Sequence, residues 1–272
     1  MMYIYFATTW RTYYVTQLNL EKDEEYYINK TIKVFNKVLN KHTKDIKEID
    51  MFLTGGYDSR FIAVLLKKQN NVKINTYTTR KPLDGNKDKR YAQQVAKYLG
   101  VSNTFIKPAE HKSYYQLPLV RAMKTNICFD AIGGDILLRG SFSNEVFISH
   151  KGYRTFLGED VKLDNHPNFI TKYLLETECI RLMDLSKHIM PHKKVIFPFM
   201  DKDFIKFALT IPPSIKSNKF YKKILEKVDI GCMAIPSTRD IWFFNFRRHS
   251  IIRGTRNKIY KRIKKCLKIF SK

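Results

Sequence analysis

The sequence predicts an α/β fold, a doubly wound parallel sheet followed by a mostly helical C-terminal part. Two observations carry this. Short apolar runs, IDMFLT, VKINTYTT and NTFIK, alternate with stretches of helical periodicity, the pattern of strands joined by crossover helices. The first run also ends on a pair of glycines followed by an aspartate and a serine, at a strand-to-helix junction where such folds place their functional groups. With 272 residues and 44% apolar composition, the chain is long enough for one large core with appendages.

Residues 3–20, rich in Tyr and Thr, read as a β-hairpin. Between Glu24 and Thr43, Ile28, Ile32, Phe35 and Leu39 mark one helical face. IDMFLT is a buried strand, and Asp58 to Lys68 a helix. VKINTYTT forms the second strand. DKRYAQQVAKYLG forms the second helix, with Gly100 as the residue just past its end. NTFIK is the third strand, and a helical stretch follows around Tyr114 to Lys124. The predicted division is an N-terminal hairpin and helix over 1–48, the main domain over 49–245 and a basic amphipathic tail over 246–272.

Fifty Lys and Arg against 25 Asp and Glu leave a net charge of +25, which attracts polyanions without choosing among nucleotides, nucleic acid and anionic membrane. Arg247 to Lys272 holds eleven of these basic residues and no acidic one. Ile259, Ile263, Leu267 and Phe270 recur there at helical spacing, so residues 247–272 are a candidate contact for anionic lipid or nucleic acid, or a helix docked on the body with a solvated basic face. No apolar run approaches the roughly 18 residues a membrane span requires, and the start lacks a secretory pattern. The expected location is cytoplasmic. Cys128, Cys179, Cys232 and Cys266 are dispersed, which argues against a zinc knuckle, a redox pair or a disulfide framework. His188 and His192 are four apart, but Pro191 between them disfavours the helix that would align them on a metal. No ordered aromatic and basic interleaving of an RNA-binding sheet is visible.

The stretch Thr54-Gly55-Gly56-Tyr57-Asp58-Ser59 carries the chemistry. Glycines there let backbone N–H groups face one concavity, and the following helix N-terminus favours an anion. The Thr54 and Ser59 hydroxyls can donate to the same oxygens. Asp58 would repel a phosphate on its own but suits Mg²⁺ bridging a carboxylate and phosphate oxygens. The same residues also fit an ordinary Gly-Gly turn with Asp58 as N-cap. No GxxxxGK[ST] is present, so this is not a Walker A loop.

LTGGYDS resembles the SGGxDS pyrophosphate-binding loop (PP-loop) of the ATP pyrophosphatases, whose fold is the adenine nucleotide alpha hydrolase-like sheet. The form is that of asparagine synthetase C-terminal domains and of relatives such as β-lactam synthetase and lasso-peptide cyclases. DKRYAQQVAKYLG is similar to that family's helix after the second strand. AIGGDILLRG resembles its GEGGDELFGGY turn, and VIFPFMDKDFIKFALTIPPSIK its PFLD segment. The likeness runs from Ile49 to Arg239, in order.

The resemblance implies an ATP-dependent carbon-nitrogen ligase, related to the enzymes of asparagine biosynthesis. ATP and a carboxylate condense to an acyl-adenylate, pyrophosphate leaves, and ammonia or an amine displaces AMP. It implies that Gly55, Gly56 and Ser59 hold pyrophosphate, with Thr54 in the loop and Gly133 and Gly134 in the second turn, that Asp58 and Asp135 bind Mg²⁺, and that Leu53, Thr78 and Thr79 line the adenosine pocket. Two departures stand out. Ile132 and Ile136 replace the family's turn glutamates and can neither accept a proton nor orient an amine, which leaves Asp130 as the nearest catalytic candidate. Lys194 and Ile196 likewise replace a charged pair before the PFLD segment, and the family's late Arg-x-Lys is matched loosely around Arg239. The 50 residues ahead of Met51 contain no cysteine, so no glutaminase of the asparagine synthetase type is expected, and the nitrogen would come as free ammonia, as a substrate amine or from a separate protein. The variant loop is similar to that of divergent members placed in polysaccharide or peptide modification. Two alternatives remain at this level: a tRNA-modifying member, which would use the charge, and a degenerate member that binds nucleotide without turnover.

Overall fold

A computed structural model describes residues 22–69, 72–79, 87–106, 122–140, 175 and 179–238. The expected hairpin over 3–20, most of the stretch around Tyr114 to Lys124, Arg239 and the basic segment 247–272 lie outside the described residues.

The described chain begins with α1 (Glu24–Thr43), whose Asp23 side chain caps it by accepting from Tyr26 N–H. Then follow β1 (Glu48–Phe52), α2 (Tyr57–Gln69), β2 (Lys73–Thr79), α3 (Lys87–Leu99) and β3 (Ser102–Ile106). Gly100 closes α3 with φ +62, the left-handed geometry that glycine adopts without a Cβ clash. Two strands escaped the sequence reading, β4 (Ile127–Phe129) and β5 (Lys194–Ile196). At three residues each, neither is long enough to show a period of two. Between them lie α4 (Gly134–Arg139) and α5 (Ile180–Ile189). A 3₁₀ turn (Pro198–Met200), α6 (Lys202–Ala208), α7 (Asn218–Val228) and α8 (Ile230–Met233) complete the described chain.

The five strands form one sheet in the order β3-β2-β1-β4-β5, and every pair is parallel. The fold is therefore α/β with a doubly wound order, as predicted. The chain winds outward from β1 through β2 to β3, then restarts on the other side of β1 with β4 and β5. The reversal leaves a crevice between the carboxyl ends of β1 and β4, the place where open parallel sheets bind ligands. Register pairs Met51 with Phe129, so the segments leaving these two strands emerge side by side. Among the described residues, no helix is long and apolar enough to cross a membrane.

Most of the core lies on one face of the sheet. Ile49 and Met51 of β1 and Leu53 just beyond it share one buried cluster with Phe61 and Leu65 of α2 and Val95 and Leu99 of α3. The helix α1 belongs to this core. Its Phe35 is fully buried, with ring centroids 4.8 Å from Phe61, 4.6 Å from Phe199 and 4.8 Å from Phe204. Truncating such a ring to alanine typically costs about 3–5 kcal/mol, so α1 holds the α2 and Pro198–Met200 segments together through one side chain. A second, smaller cluster on Tyr77, Met123, Cys128 and Met190 includes side chains of β2 and β4.

The C-terminal end of α1 is fastened by Asp201. This nearly buried carboxylate accepts from His42 Nε2 at 2.8 Å and Lys41 Nζ at 3.0 Å through one oxygen. Through the other it accepts from the Asp203 N–H at 3.0 Å, capping α6. Burial pushes its pKa up, but the hydrogen bonds from His42, Lys41 and Asp203 outweigh it and bring the value from 3.8 down to about 2. A depressed carboxylate stabilises the fold above its unfolded pKa and loses that contribution as the pH falls through its folded one. Asp201→Asn keeps the cap but not the charge. It is expected to lower the stability at pH 6 by about 2 kcal/mol, and the two urea-denaturation curves should converge between about pH 4 and pH 2.

Candidate functional site

The crevice between β1 and β4 is lined by the two glycine-bearing turns, residues 53–59 and 130–135. Leu53 continues β1: its N–H donates to Tyr77 O at 2.9 Å and its side chain is fully buried in the core. Its carbonyl accepts from Thr78 Oγ1 at 2.7 Å, and that hydroxyl also lies 3.1 Å from Asn103 Oδ1. Thr79, the last residue of β2, has a hydroxyl buried from solvent that makes no hydrogen bond among the described residues. Thr78 and Thr79 thus sit at the carboxyl edge of the sheet beside the first turn.

That turn is tightly held. Thr54 N–H donates to Ser59 Oγ at 3.0 Å, the two hydroxyls lie 3.1 Å apart, and Gly56 N–H donates to Thr54 Oγ1 at 3.2 Å. Gly55 is fixed from both sides. Its N–H donates to Asp88 Oδ1 at 2.7 Å, and its carbonyl accepts from Thr238 N–H at 3.0 Å. A Cβ on Gly55 would stand 2.7 Å from Thr238 Cγ2 and 3.0 Å from Asp88 Oδ1, so only glycine fits between them. The expected concavity of N–H groups is therefore narrower than the sequence suggested, because Gly55 N–H is committed to a buried carboxylate. The first-turn N–H groups of α2, which no carbonyl of the same helix can satisfy, continue the anion-favouring surface.

Arg60, the next residue of α2 after Ser59, is fully buried. Its guanidinium donates to the carbonyls of Cys232 at 3.2 Å, Ile235 at 2.7 Å and Pro236 at 3.0 Å. This fork holds the 232–238 segment against α2 and so places Thr238 on Gly55.

The second turn approaches the first at Asp58. A Cβ added to Gly134 would stand 2.6 Å from Asp58 Oδ1 and 2.9 Å from Asp58 Cγ, with Phe199 Cε2 also at 2.9 Å. The Asp58 carboxylate thus lies directly on the backbone of the residue preceding Asp135. Gly133, with φ +98, makes the reversal that brings Gly134 there. Both carboxylates influence the buried Tyr221 phenol on α7, which burial first and Asp58 next push well above its ordinary pKa, while Arg139 on α4 opposes them. Asp58, resting on the backbone of Gly134, and Asp135, the next residue of that turn, are carboxylates of the kind that a hard divalent cation binds singly or in pairs, completing its shell with phosphates and water. Among the described residues, no group of three or more His, Cys, Asp or Glu is placed to hold a metal ion by itself.

Asp130 stands at the end of β4, just before the second turn. It accepts from Ser186 Oγ at 2.8 Å and from the N–H groups of Ala131 and Ile132. Burial raises its pKa, and these three donors counter part of that rise. Ile136 is buried in the core and Ile132 packs against it, so both positions serve packing. The sequence reading singled out neither Asp88, Arg60, Tyr221 nor Thr238 as a site residue. A charged residue between Ser59 and the apolar run FIAVLL was a signal for Arg60, and the leading aspartate of the DKRYAQQVAKYLG helix was one for Asp88.

Comparison with known families matches the chain to the asparagine synthase family over residues 31–188, more than half its length. No curated protein matches. Among solved structures, the chain is similar to the U34-tRNA thiolase NcsA from Methanococcus maripaludis with its 4Fe-4S cluster. The identity is 16%, 78% of this chain and 76% of that one are covered, and the TM-score is 0.36.

The close approach at Gly134 yields a test. In Gly134→Ala the new methyl group has to displace the Asp58 carboxylate, because the fully buried Phe199 ring cannot yield. The expected result is a stability loss of about 1–3 kcal/mol by urea denaturation, together with loss of Mn²⁺-pyrophosphate binding by titration calorimetry.

Proposed function

Because the chain belongs to the asparagine synthase family of PP-loop ATP pyrophosphatases, we propose that it activates a carboxylate with ATP, releases pyrophosphate and passes the acyl group to ammonia or an amine, forming an amide. The observation that carries this reading is the contact of Asp58 with Gly134, next to Asp135, at the crevice where the sheet order reverses.

The chemistry makes specific demands. A carboxylate oxygen attacks the α-phosphorus of ATP, the bond to the β-phosphate breaks, and two phosphates depart as one unit. The groups that hold them must be in place before charge develops on the leaving oxygen. Thr54, Ser59 and the first turn of α2 are the groups for that, fixed by their own hydrogen bonds and by Asp88, Thr238 and Arg60. Mg²⁺, held by Asp58 and Asp135, would supply the positive charge that neutralises the departing diphosphate. The adenosine would lie against the carboxyl edges of β1 and β2, where the Thr79 hydroxyl makes no hydrogen bond among the described residues, while Leu53 is buried in the core and the Thr78 hydroxyl is engaged by Leu53 O.

In the second half-reaction, nitrogen attacks the acyl carbon, the bond to AMP breaks, and one proton leaves the nitrogen. Ile132 and Ile136 cannot take it. We assign this task to Asp130, at the head of the second turn, whose pKa burial raises, a direction that favours taking up a proton. The amine or ammonia arrives as substrate or from a separate protein.

The test uses ATP labelled in its α-phosphate, Mg²⁺ and a panel of carboxylic acids. AMP and pyrophosphate are expected, and Asp58→Asn should slow their formation about 100-fold or more. Formation of ADP and phosphate instead would refute adenylation. Asp130→Asn is expected to retain carboxylate-dependent exchange of pyrophosphate into ATP while amide formation falls about 100-fold or more. An equal fall in both would remove Asp130 from the amine step.

A further inference from the structure

Tyr221 has no counterpart among the motifs read from the sequence, yet its hydroxyl is buried beside both acidic residues of the site. The residue lies on α7, which is capped by Ser217 Oγ accepting from Phe220 N–H at 3.0 Å and which packs against α1, α2 and α4. The side chain is fully buried. Its ring stands edge-on to Tyr57, with centroids 6.0 Å apart, and to Phe61, at 6.1 Å. These rings hold the phenol by its body. The hydroxyl is buried and makes no hydrogen bond among the described residues, and Asp58 and Asp135 are the acidic groups whose charge acts on it. A polar group removed from water in this way is unfavourable unless the bound state gives it a partner.

We propose that the Tyr221 hydroxyl is a positioning group for the divalent cation: it donates to one oxygen of Asp58 and turns the carboxylate so that the other oxygen, together with Asp135, faces the ion and its pyrophosphate. The inference rests on the function proposed above. A phenol hydroxyl donates a single hydrogen bond, which one carboxylate oxygen can accept. Donors that orient a metal-binding carboxylate govern affinity strongly even though they do not touch the ion. Arg139, one turn after Asp135 on α4, is engaged elsewhere through Nε, which donates to Asn218 Oδ1 at 2.6 Å.

The full chain and its Tyr221→Phe variant, which keeps the ring and loses only the hydroxyl, are titrated with Mn²⁺ in the presence of inorganic pyrophosphate and followed by the relaxation of bound water. Tyr221→Phe is expected to weaken Mn²⁺ binding about 10-fold or more. In turnover, the Mg²⁺ concentration giving half-maximal rate should rise by the same factor, with the rate at saturating Mg²⁺ little changed. A purely structural role would lower the melting temperature and leave the Mn²⁺ affinity as it was, which would overturn the inference. Asp58→Asn separates the two levels of the argument. If it abolishes Mn²⁺ binding while Tyr221→Phe matches the parent within twofold, the positioning role falls and the proposed metal site stands. If the parent itself binds no Mn²⁺ with pyrophosphate, both fall.

Discussion

The architecture turns on one contact, the Asp58 carboxylate lying on the bare backbone of Gly134. A carboxylate this close to a peptide and an aromatic edge is partly removed from water, and that placement is unfavourable unless charge or hydrogen bonds compensate. It persists because rigid packing determines both sides. The α2 turn that carries Asp58 is seated by Phe61, the Gly134 turn is backed by Phe199, and Phe35 of α1 packs on both rings. An N-terminal helix far from the crevice in sequence therefore helps to set the spacing of its two acidic residues. Asp201 fastens the far end of that helix to the segment bearing Phe199.

The glycine loop is equally constrained, by polar means. Gly55 has its N–H on Asp88 and its carbonyl on Thr238, while Arg60 fixes the chain that delivers Thr238. Three segments separated by many residues thus converge on one residue. Such a loop does not need to reorganise when charge develops nearby, and this is where fixed dipoles act most strongly. Gly55 N–H, however, serves to hold the loop and Gly56 N–H donates to Thr54 Oγ1, so the anion-favouring groups that remain are those at the start of α2 together with the two hydroxyls.

Much of this was legible in the sequence, for reasons that differ by element. The period of Ile28, Ile32, Phe35 and Leu39 located α1, and the alternation of apolar runs with helices located β1 to β3 and their crossovers, because each is long enough to show its own repeat. The three-residue strands β4 and β5 have no such repeat and exist through pairing with β1 and with each other. LTGGYDS and IGGD could both be read as turns, the first of them at a strand end. Their mutual contact could not be read, since it follows from the strand order, which places β4 beside β1. Arg60, Asp88 and Tyr221 were hidden for a related reason. Each acts on a partner at least 33 residues away, so no local spacing marks it.

The two isoleucines in the second turn are best understood through the charge they leave out. Glutamates at positions 132 and 136 would add two more anions to a crevice that already gathers Asp58, Asp130 and Asp135, and position 136 is buried in the apolar core, where an ionised side chain is strongly disfavoured without a partner. With isoleucine there, α4 packs as an ordinary apolar helix and the acidic density of the site stays low. Asp130 is then the acidic side chain nearest the turn, held by Ser186 and by two backbone donors and raised in pKa by burial. Burial and the three donors thus act on that carboxyl group in opposite directions, burial prevailing. On the function proposed above, the proton of the amine step would be taken at the end of β4, while the turn helix keeps its apolar packing.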